Sequence, residues 1–247
     1  MKFNVSLSDC EKSIAINATL VAFSAVVLIV LAVFLAMLHA AFALALLVYA
    51  AIKLDRAVAI KKVILADESA PLHEILLRES SKSIGASSFL LASFTILAIV
   101  NFVYMTWIIG IFCIALIVYG AIELSVVVSM RNIYIKNDDQ DKMTKIVIND
   151  CTERTVGATA TLLAMSVAIF IEGVFALAVL GDNKIDFFFV ETMVANAAFT
   201  LLHAIIFIYA AVELAMADKA KKNYARQAKA QLEAPEVLEE VPVEQAE

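Results

Sequence analysis

Between Lys12 and Lys53 the chain reads SIAINATLVAFSAVVLIVLAVFLAMLHAAFALALLVYAAI, residues 13–52, forty positions without one Asp, Glu, Lys or Arg. As one helix this stretch would extend roughly 60 Å, about twice the hydrocarbon thickness of a bilayer. It must therefore fold back on itself as two spans joined by a tight turn, expected near Leu38-His39. The rest of the chain repeats this plan. Of its 247 residues 62% are hydrophobic, against about 45–50% in a soluble domain. The mean hydropathy is +0.88. A globular core could not hide so much apolar surface, and what remained outside would aggregate in water.

Landmarks recur at equal spacing, and internal repetition of this kind is the first thing to seek in a sequence. Three segments open alike, at Lys12-Ser13-Ile14, Lys82-Ser83-Ile84 and Arg154-Thr155-Val156. Three close alike, at Tyr49-Ala50-Ala51-Ile52-Lys53, Tyr119-Gly120-Ala121-Ile122-Glu123 and Tyr209-Ala210-Ala211-Val212-Glu213. Lys12 to Tyr49 and Lys82 to Tyr119 are both 37 residues, and Arg154 to Tyr209 is 55. The fold class expected is an all-α integral membrane protein of six transmembrane helices, arranged as three tandem hairpins in an approximate threefold repeat. Spans are expected at about 14–36, 38–54, 83–104, 107–130, 155–179 and 187–216. The second turn is placed near Met105-Thr106-Trp107 and the third at 181–186. Helix is required because backbone polar groups in lipid must be satisfied within the segment, and the period-two alternation of a barrel is missing. The chain then divides into a first hairpin with its linker (1–82), a second with its linker (83–153), a third and longer hairpin (154–217), and a basic helical extension leading to an acidic tail (218–247).

Orientation follows from the cations. Lys and Arg number two in residues 1–13, six in 53–82, five in 131–154 and five in 217–247, which accounts for 18 of the 19; the other side holds Lys184 alone. Lys and Arg are retained on the cytoplasmic side during insertion, so both termini are expected there, in the plasma (inner) membrane of a prokaryote. Asp9 and Glu11 beside Lys2 and Lys12 do not suit a cleavable leader, and the first span is expected to stay. In the linker 55–82, Ser69-Ala70-Pro71-Leu72 reads as a helix start. From Gln231 onward six glutamates and two prolines occur with no basic residue, the composition of a disordered tail.

Ionisable residues inside a span are costly and raise a functional question. Lys53, Glu123 and Glu213 occupy equivalent repeat positions, each four residues after Tyr49, Tyr119 or Tyr209 and hence on the same helix face as that tyrosine. Hairpins packed around a threefold axis would bring all six together, either as a charged constriction in an ion or solute path or as a lock between hairpins. Glu172 stands deep in the fifth span beside Gly173. Burial there would favour its neutral form, working in a proton or cation relay or bonded to Asn101, Asn196 or His203.

No catalytic or metal motif is present. The histidines lack ligand spacing, and Asp138, Asp139 and Asp141 lack the glycine and closing glutamate of a calcium loop. No cofactor is expected, and the net charge of −6 argues against nucleic acid as a partner. The spans hold no proline and the chain only six glycines, so the broken midplane helices of secondary transporters are not foreseen. What remains is a non-enzymatic scaffold or assembly component, partnered by the bilayer and by other membrane proteins or itself. The alternative is an ion or small-solute channel or transporter using the intramembrane carboxylates.

Overall fold

The computed structural model describes residues 7–34, 36–66, 72–104, 107–136, 142–180 and 187–233. Every element among them is a helix: α1 (Leu7–Val33), α2 (Met37–Ala66), α3 (Leu72–Val103), α4 (Trp107–Lys136), α5 (Lys142–Leu180) and α6 (Phe187–Glu233). All six are long and apolar enough to cross a membrane. The shortest, α1, has 27 residues or roughly 40 Å, and α6 has 47 or roughly 70 Å.

Their polarity is inverted relative to a soluble bundle. In α1 the buried stripe is Cys10, Ile16, Asn17, Leu20, Ser24, Val27 and Leu31, with Asn17 and Ser24 fully enclosed. The outward face carries Val26, Ile29 and Val33, at 57%, 64% and 71% exposure. The same holds around the molecule, where Ile96, Ile99, Val103, Ile171 and Phe175 all stand exposed. Small polar groups are enclosed among the apolar core while large apolar side chains also cover the outside, the arrangement lipid favours and water does not.

The helices form a closed ring. Consecutive pairs α1–α2, α3–α4 and α5–α6 share the most extensive contacts; α2–α3 and α4–α5 join the pairs, and α1 against α6 completes the circle. The core lies on the ring axis in layers, whose order follows position along α2. Nearest the turns, Phe42 sits among Phe94, Phe112, Phe199 and His203, with ring centroids 4.9, 5.8, 5.2 and 5.9 Å away. One turn on, Leu20, Leu46, Leu90, Leu116, Leu162 and Ile206 meet above Tyr49, Tyr119 and Tyr209, leaving about 10 Å³ of open space. That is at most room for one water. Beyond the tyrosines come Lys53 and Arg56, and beyond those a second apolar cluster of Cys10, Ile60, Leu76 and Tyr134.

Two expectations about helix limits are corrected. The first turn precedes Leu38-His39: α1 ends at Val33, Ala36 N–H donates to Leu31 O at 2.9 Å, and α2 has begun by Met37. Ala, Met and Leu are good helix formers, and His39 marks no turn; its ring packs edge-on against Phe199 at 4.7 Å. On the basic side α2 runs on to Ala66, beyond the expected end at 54, and the helix expected to start at 69–72 does begin by Leu72 but is continuous with the third span as α3. Ser69 to Pro71, Met105-Thr106, the 138–141 acids, the 181–186 connection with Lys184, and the tail after 233 lie outside the described residues.

Candidate functional site

The basic end of the ring is laced by ion pairs between helices: Lys61 with Glu11 at 2.9 Å, Lys82 with Asp55 at 2.7 Å, Lys219 with Asp9 at 2.7 Å and Lys221 with Glu153 at 3.3 Å. These are half exposed, and pairs of this kind contribute only about 0–1 kcal/mol each. The groups further in are a different matter.

Tyr49, Tyr119 and Tyr209 descend from α2, α4 and α6 to one point on the axis, at 1%, 6% and 2% exposure. The Tyr49 and Tyr209 hydroxyl oxygens are 3.5 Å apart, and the Tyr119 hydroxyl joins them. One turn further, Lys53 forms an ion pair with Glu123, the two side chains retaining 13% and 12% exposure. The other Glu123 oxygen, Oε2, accepts from Tyr49 at 2.8 Å and from Ser87 at 3.0 Å. The Lys53 ammonium also lies 5.7 Å from the Tyr49 ring centre. A carboxylate so enclosed is tolerated because its lone pairs are filled by one cation and two hydroxyls.

Glu213 differs from Glu123. Lys53, Glu123 and Arg56 are the charges that act on it, yet no cation lies within ion-pair distance of it among the described residues. The structure thus brings together Lys53, Glu123, Glu213 and the three tyrosines.

Glu172 is the exception, and the expectation of burial is corrected. Its side chain is exposed, on the outward face of α5 between Ile171 and Phe175. The buried stripe of α5 runs Ala158, Leu162, Ser166 and Ile169, and continues as Gly173 rather than Glu172. Asn101 instead donates to Leu97 O at 2.7 Å, and His203 Nδ1 sits 2.8 Å from Phe199 O. Glu172 shares with Asn196, His203, His39, Gly173 and Thr200 a cleft of about 330 Å³ on the flank of the ring towards its turns. It lies eight residues before the end of α5, roughly 12 Å along the axis.

Several participants carry no landmark in the sequence. Ser87 is fully buried, Glu79 is 1% exposed, and Arg56 donates to Ser83 Oγ at 2.6 Å. Glu79 is held by Arg78 at 3.2 Å and Lys82 at 2.9 Å. The signal was present in the helical spacing of Leu76, Glu79, Ser83, Ala86, Ser87 and Leu90, which places the polar members on the buried stripe of α3. Among the described residues no group of three or more His, Cys, Asp or Glu converges as a metal site would require. No protein-family model, curated protein or solved structure matches the chain.

Proposed function

We propose that this chain is a non-enzymatic membrane scaffold, a ring of three repeated hairpins that docks another membrane protein through the cleft at Glu172. The supporting observation is where polarity sits. On the axis, the leucine and tyrosine layers enclose only about 10 Å³, and Lys53 and Glu123 satisfy each other. The carboxylate in the turn-side half faces outward instead, without a partner among the described residues. A carboxylate facing hydrocarbon is costly, so a neighbouring protein helix bringing a hydrogen-bond donor to that depth is the natural occupant.

Equivalent positions support the repeat. Leu20, Leu90 and Leu162 stand 70 and 72 residues apart along the chain and meet in one layer, as do Leu46, Leu116 and Ile206 at 70 and 90. Asn17, Ser87 and Thr159, again 70 and 72 apart, are all fully buried. The cation asymmetry supports cytoplasmic termini in a prokaryotic plasma membrane. In intact cells an impermeant maleimide is expected to label Lys184→Cys and not Glu247→Cys, the native cysteines being buried.

For the scaffold itself, a photocrosslinker at Phe175 is expected to trap one companion stoichiometrically in native membranes, while the same group at Val26 on α1 traps none. Glu172→Leu should abolish the adduct at least tenfold with the melting temperature unchanged. The second reading, a conduit for ions or small solutes, is favoured by the cavities on either side of the tyrosine layer. It predicts flux into liposomes that Glu172→Gln or Glu213→Gln removes. Measurable flux by the wild-type chain, with no Glu172-dependent adduct, would replace the scaffold by the conduit.

A further inference from the structure

The basic end contains a second cavity, of about 260 Å³, between the tyrosine layer and the Cys10–Ile60–Leu76–Tyr134 cluster. It is bordered by α1, α2 and α6, with α1 packed between the other two in the ring. Four charged side chains border it, and two are already paired, Lys53 with Glu123 and Asp9 with Lys219. The other two are Arg56 and Glu213. Neither has an opposite charge within ion-pair distance among the described residues, although each acts on the other electrostatically. Arg56 gives Nη1 to a serine hydroxyl, and its buried Nε has no acceptor.

Arg56 from α2 and Glu213 from α6 thus border one small space without an ion-pair partner among the described residues, Glu213 being bonded to the neutral Tyr209 hydroxyl and drawn on by Lys53, and the two call for a bridge carrying both signs. We propose that this cavity binds a small zwitterion, its carboxylate or phosphate facing Arg56 and its ammonium facing Glu213. A guanidinium presents its donors in a fork that suits either oxyanion. The volume is ample for a solute the size of a small amino acid or a phosphoethanolamine unit. That chemistry has two sources, a free solute from the aqueous phase or an aminophospholipid headgroup entering from the adjacent leaflet. The site is independent of the cleft at Glu172, so scaffold and zwitterion can fail separately.

The test uses the full-length chain in detergent and in nanodiscs, read by thermal unfolding, because a ligand that binds only the folded state raises the melting temperature with concentration. L-alanine and O-phosphoethanolamine are titrated against an equimolar mixture of propionate and ethylamine, which supplies both charges without the link between them. A saturable upward shift with either zwitterion and none with the mixture identifies a free solute. A shift in nanodiscs of phosphatidylethanolamine over those of phosphatidylglycerol, with no response to either solute, identifies the headgroup. Arg56→Gln and Glu213→Gln should each remove the shift. Should either fail to fold, Met216→Trp fills the cavity without altering a charge and should remove it too. Absence of a shift in both arms, an equal shift from the mixture, or a wild-type response in Met216→Trp overturns the proposal and leaves the cavity to water.

Discussion

Lys53→Ala is expected to destabilise the folded ring by about 3–5 kcal/mol, the cost of leaving a buried charge without its partner. The reason lies in Glu123 rather than in the lysine. With Lys53 present, the carboxylate has an ammonium on one oxygen and the Tyr49 and Ser87 hydroxyls on the other. Without it the hydroxyls remain, and two neutral donors do not offset the desolvation of an ion. Glu123→Gln in the same background should therefore recover more than half of the loss. The amide keeps a carbonyl oxygen for Tyr49 and Ser87 and needs no counter-charge. Glu213→Gln should recover much less, since Glu213 is not the residue bonded to Lys53. Unfolding in mixed micelles across the four members of the Lys53/Glu123 cycle gives the coupling directly. A coupling below about 0.5 kcal/mol, the range within which independent sites simply add, would mean that the pair does not lock the hairpins together.

The meeting of Lys53 with Glu123 is legible in the sequence because both are polar landmarks in an apolar background. Tyr49, Tyr119 and Tyr209 each precede a charge by four residues, and that spacing survives the longer third hairpin. Six apolar helices were legible for the same reason, since charges interrupt the hydrophobic runs at near-regular intervals. What the sequence concealed was the rotation of each helix about its own axis. In a soluble helix the polar face reveals the buried one; here both faces are apolar, and the rule inverts. The sequence therefore suggests an inward Glu172, whereas Ala158, Leu162, Ser166 and Ile169 mark a stripe that passes through Gly173 and leaves its neighbour about 100° away. Arg56 and Glu79 do not stand out because charges near the ends of spans read as solvated, whereas the helices continue and keep them against the ring. His39 misled as a turn marker because a lone polar residue in a long apolar run is the natural place to break it. Its aromatic character decided its position instead, against Phe199.

Gly173→Ala is expected to destabilise the chain by about 1–3 kcal/mol, against the usual trend. An alanine in a helix interior is favoured over glycine by about 1 kcal/mol, so the sign depends on what the added methyl meets. At Gly85 and Gly157 it would meet nothing within 4 Å, and Gly85→Ala and Gly157→Ala should each be neutral or stabilising. At Gly173 it would lie 2.5 Å from Thr200 Oγ1, 3.2 Å from Cγ2 and 3.3 Å from Cβ. Rotation about χ1 would carry Oγ1 away only by breaking its bond to Asn196 O at 2.7 Å, and it would leave Cβ at 3.3 Å. The helices α5 and α6 must then separate by some tenths of an ångström, at the level where Glu172, Asn196 and Thr200 border the cleft. Thr200→Ala removes Oγ1 and Cγ2 and should restore Gly173→Ala to within about 1 kcal/mol of the parent, which a melting series on the two single variants and the double would read. If Gly173→Ala proves as harmless as Gly157→Ala, the two helices do not approach so closely there. If it destabilises as expected, the crosslink from Phe175 should weaken in the same variant, because a partner helix shaped to the closed cleft would no longer match the spread one.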